Sequence, residues 1–392
     1  MIAVTLLRSV TPALHKIDHA IGRLSPRRDV LIELRTPVYQ PVLGPIADAF
    51  AADPHVRVWY TSENPDRIRP LVPRDRFLTH AEVEWRRFDA YLNGDPWAAA
   101  RLRRCAHRVN FFHGVAGKYD LDNPAGLPMG FDYYSYVGFI NRDRMLRYLQ
   151  AEVVTLAQAR LVGYPKLDRL ARREYDAAAI RASLGLAGGR PTVLYAPTYS
   201  EASSLHLAGE AIVRTLADDG FNVIVKLHDR SLDPDPRYNG GVDWRARFQA
   251  LAASLPGRVV FTEEADACPL LASADAMVTD HSSIGFEFLV LDRPLVVFDA
   301  PDLPRAARIN PEKVQLLRSA ADVARTPVET ARAVRSALTD PGRLSAPRRR
   351  IARELFHEPG SATARAVDLV RSVLQAGVAA SVMTEASPGA VS

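Results

Sequence analysis

Short apolar runs alternate with amphipathic segments through the second half of the chain. Five runs rich in β-branched residues predict buried strands, at Thr192–Ala196, Asn222–Leu227, Arg258–Phe261, Ala276–Thr279 and Leu295–Asp299. The segments between them carry apolar residues at helical spacing and predict helices at Leu205–Asp219, Trp244–Ser254, Ala265–Ser273 and Ser283–Leu291. Alternation of this kind is typical of a parallel sheet with helices on both faces.

The first half shows the same alternation less regularly. It predicts strands at Asp29–Leu34, Val56–Tyr60 and Arg108–Phe112, and helices at Pro41–Asp53, Thr79–Tyr91 and Asn141–Gln150. Residues 114–136 are rich in Gly, Pro and Asp and predict a long loop, a feature that is often functional or mobile. Apolar residues from Ile2 to Leu24 recur at helical spacing. They predict a helix that either docks on the protein or contacts a membrane surface.

The pattern therefore predicts an α/β protein with two Rossmann-like domains. We assign residues 1–165 to an N-terminal acceptor domain, 166–375 to a C-terminal nucleotide-donor domain and 376–392 to a disordered tail. A chain of 392 residues is long enough for two such domains. Ligands of open α/β sheets bind outside the carboxyl ends of the strands, so candidate chemistry is sought there.

Polar or titratable residues follow four of the predicted strands. They are His113, Thr198, His228 and the group Asp280, Ser282 and Ser283. At the start of a helix, serine hydroxyls and free backbone N–H groups favour an anion such as a diphosphate, although such serines can also simply cap the helix. Glu287, one turn further on, can accept hydrogen bonds from ribose hydroxyls or be an ordinary solvated glutamate.

The two histidines have functional and structural interpretations. His113 precedes a glycine that lets a ligand approach the backbone, and a neutral imidazole there can take a proton from a hydroxyl; the alternative is a core or loop histidine. His228 can donate to a phosphate or balance developing negative charge, or be a satisfied histidine at a domain edge. Asp280 has two interpretations: it orients the loop or a neighbouring histidine, or it only stabilises a turn. Lys118 and Lys166 can steer an anionic substrate or be solvated.

Composition excludes more than it identifies. The net charge of +5 fits an acidic small molecule, a phosphate-rich polymer or an anionic membrane surface. Cys105 and Cys268 lie far apart, which argues against a disulfide scaffold and favours a reducing cytoplasm. No nucleic-acid motif, metal-ligand cluster, P-loop or GxSxG turn occurs. We therefore expect no nucleic-acid partner, no metal and no cofactor.

The motifs in order resemble those of the CDP-glycerol glycerophosphotransferase family, the teichoic-acid primases and polymerases and their capsule-building relatives. The resemblance covers roughly residues 105–370 and rests on HG (His113–Gly114), GYPKLD (Gly163–Asp168), VLYAPTY (Val193–Tyr199), KLH (Lys226–His228), TDHSS with a later Glu and RP (Thr279–Pro294), and EPGSATAR (Glu358–Arg365).

The resemblance implies a GT-B fold, in which the two domains face across a cleft. It implies metal-independent transfer of glycerol phosphate or a related polyol phosphate from a CDP-activated donor to a hydroxyl of a lipid-linked or polymeric acceptor, releasing CMP. The implied location is the inner face of the cytoplasmic membrane, with peripheral attachment. By motif, His113 would be the general base, and His228 would bind phosphate and stabilise charge. Ser282 and Ser283 would hold the donor diphosphate, and Thr198 would lie in the donor pocket.

The chain departs from the usual family pattern at Val115, Asp229, His281 and Glu287. Sugar-nucleotide GT-B enzymes also use a glutamate for ribose, so Glu287 keeps a second hypothesis open, a transferase for a nucleotide sugar. A third hypothesis is a non-catalytic relative that binds a polymer or nucleotide. The nucleotide that is released separates the first two hypotheses, and the effect of replacing His113 tests the third.

Overall fold

The computed structural model describes residues 17, 25–95, 100–115, 117–118, 122–124 and 136–382. The helix predicted from Ile2 to Leu24 lies, apart from residue 17, outside the described residues, as does much of the predicted loop at 114–136. The chain forms two compact units. Unit 1 contains residues 1–113, 124–166 and 361–392, and unit 2 contains residues 114–123 and 167–360.

Unit 1 is built on a parallel sheet of six strands in the order β2-β1-β3-β4-β5-β6. The strands are β1 (Arg28–Glu33), β2 (Val56–Thr61), β3 (Phe88–Asn93), β4 (Cys105–Phe111), β5 (Tyr136–Phe139) and β6 (Ala159–Leu161). The α-helices described in this unit are Gln40–Ala51, Pro65–Ile68, His80–Glu84, Arg142–Gln150 and Ala362–Val382. Strand order reverses between β1 and β3, so the ends of these two strands flank the crevice in which ligands of such sheets bind.

The helix predicted at Thr79–Tyr91 is wrong beyond Glu84. Thr79 and Glu82 form a capping box that starts a helix, but this helix has only five residues, His80–Glu84. The following residues form β3, whose side chains are buried along its whole length between β1 and β4. Burial on both faces of a central strand favours extended backbone over the local helical signal.

Unit 2 contains a second parallel sheet, in the order β12-β11-β10-β7-β8-β9. Its strands are β7 (Thr192–Tyr195), β8 (Asn222–Lys226), β9 (Val259–Thr262), β10 (Ala276–Thr279), β11 (Leu295–Phe298) and β12 (Asp322–Ala324). Its α-helices are Asp168–Ala171, Ala177–Ser183, Ser204–Asp218, Pro236–Asn239, Trp244–Ser254, Cys268–Ser273, Ser283–Phe288, Leu303–Ala306, Pro311–Arg318, Pro327–Thr339 and Ser345–Phe356. The reversal of strand order falls between β10 and β7.

The core of unit 2 follows from strand alternation. Val193 and Tyr195 of β7 and Val223 and Val225 of β8 lie two residues apart, so within each strand they share a face, and all four are fully buried. They pack in one cluster with apolar residues of the helices Ser204–Asp218 and Trp244–Ser254. This packing fixes where each strand ends, and therefore where the polar residues that follow it lie.

The chain returns to unit 1 at its carboxyl end. The helix Ala362–Val382 packs against the helix Gln40–Ala51 and the strands β3 and β5, and Arg365 Nε donates to the Val162 carbonyl at 2.9 Å. Residues 361–375 therefore group with unit 1 and residues 114–123 with unit 2, whereas the sequence predicts the opposite assignment for both segments. The predicted tail is wrong for residues 376–382, which are helical; residues 383–392 lie outside the described residues. The functional division into acceptor and donor domains stays a prediction.

Candidate active site

His113 follows β4 in unit 1, beside the end of the neighbouring strand β3. Its Nδ1 lies 2.8 Å from the carbonyl oxygen of Gly94, which directly follows β3. A carbonyl oxygen only accepts hydrogen bonds, so Nδ1 carries the proton and Nε2 keeps its lone pair. The ring is half-buried, and its centroid lies 4.7 Å from that of Tyr39, edge to face. This arrangement gives His113 the tautomer that a base acting through Nε2 requires.

Asp95 is the carboxylate next to His113. Its Oδ1 lies 3.7 Å from His113 Nδ1 and accepts a hydrogen bond from the Tyr39 hydroxyl at 2.8 Å, while its Oδ2 accepts one from Arg35 at 3.1 Å. Burial and the charge of Asp95 raise the pKa of Tyr39, so its hydroxyl stays protonated. Burial opposes the charged form of Arg35, but its bonds to Glu63 and Asp95 raise its pKa. The network therefore holds a fixed negative charge near the imidazole.

In unit 2, Asp280 ties together the loops at the reversal of strand order. The side chain is fully buried. Its Oδ1 accepts from the Thr198 amide at 2.9 Å, and its Oδ2 accepts from the amide and hydroxyl of Ser204 at 3.1 and 3.0 Å. Burial raises the pKa of Asp280, against the opposing charge of Lys118. Through these contacts Asp280 supports the loop that carries Thr198. The donor-binding role predicted for Asp280 stays a prediction.

Lys118 lies among the predicted donor-binding residues of unit 2. Its ammonium donates a hydrogen bond to the Thr198 hydroxyl. Burial lowers the pKa of Lys118 to about 8, and the negative charge of Asp280 opposes that shift. The Lys118 charge also lowers the pKa values of His228 and His281. A cation among three strand ends is suited to an anionic ligand. The sequence leaves open whether Lys118 steers an anionic substrate or is solvated, because nothing in the sequence shows its partners.

His228 caps the turn after β8. Its Nδ1 lies 2.7 Å from Asp229 Oδ1 and 3.2 Å from the Arg230 amide, so this nitrogen is engaged in either tautomer. The ring packs against Tyr199 at 4.5 Å between centroids. Burial lowers the pKa of His228, and its contact with Asp229 opposes the shift. Because Nδ1 is engaged by Asp229 and Arg230, the ring nitrogen suited to a ligand is Nε2.

Ser282 occupies the N-cap position of the helix Ser283–Phe288, in an extended conformation, but its side chain makes no capping hydrogen bond. The Ser282 hydroxyl therefore does not cap this helix, and its role in holding the donor diphosphate stays a prediction. Ser283 Oγ lies 3.8 Å from the position that a Cβ on Gly114 would occupy, so a side chain at that glycine would approach the serine. Glu287 lies on the same helix and is 5% exposed. The ribose-binding role predicted for Glu287 stays a prediction.

His281 carries the least expected feature of this region. It is 2% exposed, and neither ring nitrogen has a hydrogen-bond partner among the described residues. Burial and the nearby Arg318 charge lower its pKa to about 4, so the ring is neutral at neutral pH. Unpaired buried nitrogens are costly to a fold. The sequence showed only that a histidine stands where the family usually has tyrosine.

The structure thus brings Thr198, His228, Asp280 and Ser282 to adjacent strand ends of unit 2, and it places His113 in unit 1. The sequence analysis does not identify Asp95, because it predicts a helix where β3 lies; the alternation of Phe88, Ala90 and Leu92 is the signal for a strand there.

Among the described residues no group of His, Cys, Asp and Glu is arranged to hold a metal ion. The predicted absence of a metal stays a prediction. No helix in the described part of the chain is long and apolar enough to cross a membrane.

Comparison with solved structures defines the class of fold. A variant of the wall teichoic acid polymerase TagF matches with a TM-score of 0.68 at 15% identity, over 92% of this chain and 94% of that chain. TagF itself matches with a TM-score of 0.66 at 15% identity, over 96% and 97%. UDP-GlcNAc 2-epimerase from Neisseria meningitidis, bound to UDP-GlcNAc, matches with a TM-score of 0.58 at 13% identity, over 88% and 100%. The fold is GT-B, as predicted.

The sequence itself defines the family. The model of the CDP-glycerol:poly(glycerophosphate) glycerophosphotransferases matches residues 147–371, more than half of the chain. The chain therefore belongs to this family, and the predicted resemblance is confirmed. Comparison with curated protein sequences gives no match. As a member of the family, the chain is a transferase that moves glycerol phosphate or a related polyol phosphate from a CDP-activated donor to a hydroxyl group and releases CMP.

Proposed function

We propose that His113 is the general base of this transfer. The observation that carries the proposal is the 2.8 Å contact between His113 Nδ1 and the Gly94 carbonyl, which leaves Nε2 as the basic nitrogen. Nε2 takes the proton of the acceptor hydroxyl, and the hydroxyl oxygen forms a bond to the β-phosphorus of the donor. The bond from that phosphorus to the bridging oxygen breaks, and its electron pair leaves with CMP.

The donor diphosphate binds at the strand ends of unit 2. Ser282 and Ser283 donate hydrogen bonds to it, and Thr198 lies in the same pocket with Lys118 bound to its hydroxyl. His228 donates through Nε2 to a phosphate oxygen and stabilises the charge that develops as the bond to CMP breaks. Glu287 binds the ribose. Asp280 holds the Thr198 loop in place through its backbone amide.

The acceptor is a hydroxyl of a lipid-linked molecule or of a cell-envelope polymer, as in teichoic acid synthesis. Two observations support this choice: the family model describes poly(glycerophosphate) transferases, and the fold matches that of a wall teichoic acid polymerase. We further propose that the enzyme works in the cytoplasm at the inner face of the cytoplasmic membrane, attached peripherally.

The experiment is a donor panel with identification of the released nucleotide. Purified protein receives CDP-glycerol, CDP-ribitol, UDP-GlcNAc or a GDP-sugar, each with a membrane extract that contains lipid-linked acceptors. We expect CMP from a CDP-polyol, and a loss of at least about 100-fold in His113→Ala, because general-base catalysis is commonly worth that much. UDP or GDP release would contradict the donor assignment. Full CMP release by His113→Ala would contradict the base assignment.

A further inference from the structure

The carboxylate of Asp95 has no part in the proposed transfer step, yet it is buried and lies beside His113. Asp95 is 4% exposed, and His113 Nδ1 lies 3.7 Å from its Oδ1. The two residues follow adjacent parallel strands, β3 and β4, so sheet pairing rather than a mobile loop brings them together. A buried carboxylate at this distance stabilises a positive charge on the imidazole.

Tyr39 connects the same carboxylate to the other nitrogen of the ring. Its hydroxyl donates to Asp95 Oδ1 at 2.8 Å, and its oxygen lies 3.4 Å from His113 Nε2. The hydroxyl has a single proton, and the shorter contact assigns that proton to the bond with Asp95. The oxygen of Tyr39 can therefore accept a hydrogen bond from Nε2 once that nitrogen has been protonated.

The orientation of the carboxylate is fixed by its remaining oxygen. Arg35 Nη1 donates to Asp95 Oδ2 at 3.1 Å, and Arg35 Nε donates to Glu63 at 2.8 Å. Arg35 follows β1, which neighbours β3, so three adjacent strand ends meet in this network. In the part of the chain that the structure describes, the titratable and charged groups that face His113 directly or through one or two partners are Tyr39, Asp95, Arg35, Glu63 and Tyr164.

We infer that Asp95 and Tyr39 are positioning residues, which orient the His113 ring and stabilise the imidazolium formed when it takes the acceptor proton. The proton stays on Nε2. Tyr39 accepts a hydrogen bond from Nε2–H and keeps its own proton toward Asp95, whose charge compensates the imidazolium. This inference rests on the proposed role of His113 as base.

The test compares Asp95→Asn, Tyr39→Phe and His113→Ala by CMP release from CDP-glycerol across pH 5–9, with the same membrane extract. For Asp95→Asn we expect kcat to fall about 50-fold, within the range for residues that orient a functional histidine. The acidic limb of kcat/KM should move to lower pH, because the anion that stabilises the imidazolium is lost. KM for CDP-glycerol should stay within about twofold. Tyr39→Phe should show the same changes with about a tenfold loss of kcat.

Asp89→Asn is the matched control. Asp89 is a buried carboxylate of β3 in the same unit, paired with Arg87 at 2.7 Å, and its substitution should leave the pH profile at its wild-type position. If Asp95→Asn does not fold, Tyr39→Phe, which removes one oxygen atom, decides the question alone. Wild-type pH profiles in the positioning variants, with His113→Ala inactive, would overturn the inference and leave the base assignment standing. An active His113→Ala would overturn both.

Discussion

Asp280 Oδ1 accepts the Thr198 amide at 2.9 Å, and this bond joins the ends of β10 and β7. Strand order in the sheet of unit 2 reverses between these two strands. At such a point the loops diverge, and the crevice they leave is where ligands of doubly wound sheets bind. The hydrogen bonds that the Asp280 carboxylate accepts from Thr198 and Ser204 explain why an acidic side chain is tolerated in a fully buried position.

Substitutions of Asp280 distinguish a role in supporting the Thr198 loop from a role in binding the donor. Asp280→Leu leaves the amides of Thr198 and Ser204 unpaired, so we expect the free energy of unfolding to fall by about 3 kcal/mol and KM for CDP-glycerol to rise. Asp280→Asn keeps an acceptor oxygen and should lose less than half as much stability. Urea denaturation of the two variants measures the difference. Equal stability of Asp280→Leu and the wild type would contradict the supporting role.

The pKa of Lys118 predicts how donor affinity depends on pH. Its pKa of about 8 means that the ammonium is present at pH 7 and largely lost at pH 9. If the ammonium binds the diphosphate, KM for CDP-glycerol should rise about tenfold over that interval. Lys118→Arg should flatten the dependence, because a guanidinium stays charged throughout. A KM that rises equally in both proteins would assign the titration to another group.

His281 predicts acid sensitivity of the fold. Its pKa falls from 6.5 to about 4 on folding, so below pH 6.5 the unfolded chain binds a proton that the folded protein does not. Stability is therefore lost as pH falls from 6.5 toward 4. Between pH 7 and pH 5 the expected loss from this group is about 2 kcal/mol. His206 and His228, whose pKa values burial also lowers, add in the same direction.

The comparison of His281→Phe with the wild type isolates this contribution. We expect the variant to lose about 2 kcal/mol less than the wild type when urea denaturation is repeated at pH 7 and pH 5. His55→Phe, at an exposed histidine of unit 1, should follow the wild type. If His281→Phe lost as much unfolding free energy between pH 7 and pH 5 as the wild type, the ring would have to be protonated or hydrogen-bonded in the folded protein.

Gly94 allows Tyr39 to approach the base. A Cβ at this position would lie 2.5 Å from two atoms of the Tyr39 ring, closer than carbon atoms can pack. Gly94→Ala must therefore displace the ring, with an expected cost of about 2 kcal/mol and a loss of CMP release at least as large as that of Tyr39→Phe. At Gly188 an added Cβ meets nothing within 4 Å, so Gly188→Ala should have no effect on activity. Equal activity of the two variants would show that Tyr39 can be displaced without consequence.

The sequence allowed the donor side to be predicted better than the base side. The strands that precede Thr198, His228 and Asp280 are runs of β-branched residues whose ends are visible in the sequence, and parallel strands bring their carboxyl ends to one edge. The strand that precedes Asp95 begins soon after a genuine capping box at Thr79, so the local signal there is helical. Its extended form is set by pairing with β1 and β4, and the short alternation of Phe88, Ala90 and Leu92 is a weaker local signal than the capping box.

Contacts between residues that are distant in the sequence likewise could not be predicted from local patterns. The bond from Lys118 to Thr198 joins residues 80 positions apart, and the Asp95 network joins the ends of β1, β3 and β4 with the residues around Tyr39. The short strands β5, β6 and β12, of three or four residues, also escaped prediction. Their apolar runs are too brief to show a period.

The fate of the β-phosphorus of the donor tests the central claim most directly. CDP-glycerol labelled with ³²P at the β-phosphate is incubated with the enzyme and a membrane extract that contains lipid-linked acceptors, and the products are separated. Transfer of glycerol phosphate predicts unlabelled CMP and a labelled phosphodiester in the lipid or polymer fraction, with both products lost in His113→Ala. Label that remains with the nucleotide, as CDP, would mean that the phosphate is not transferred and would contradict the account.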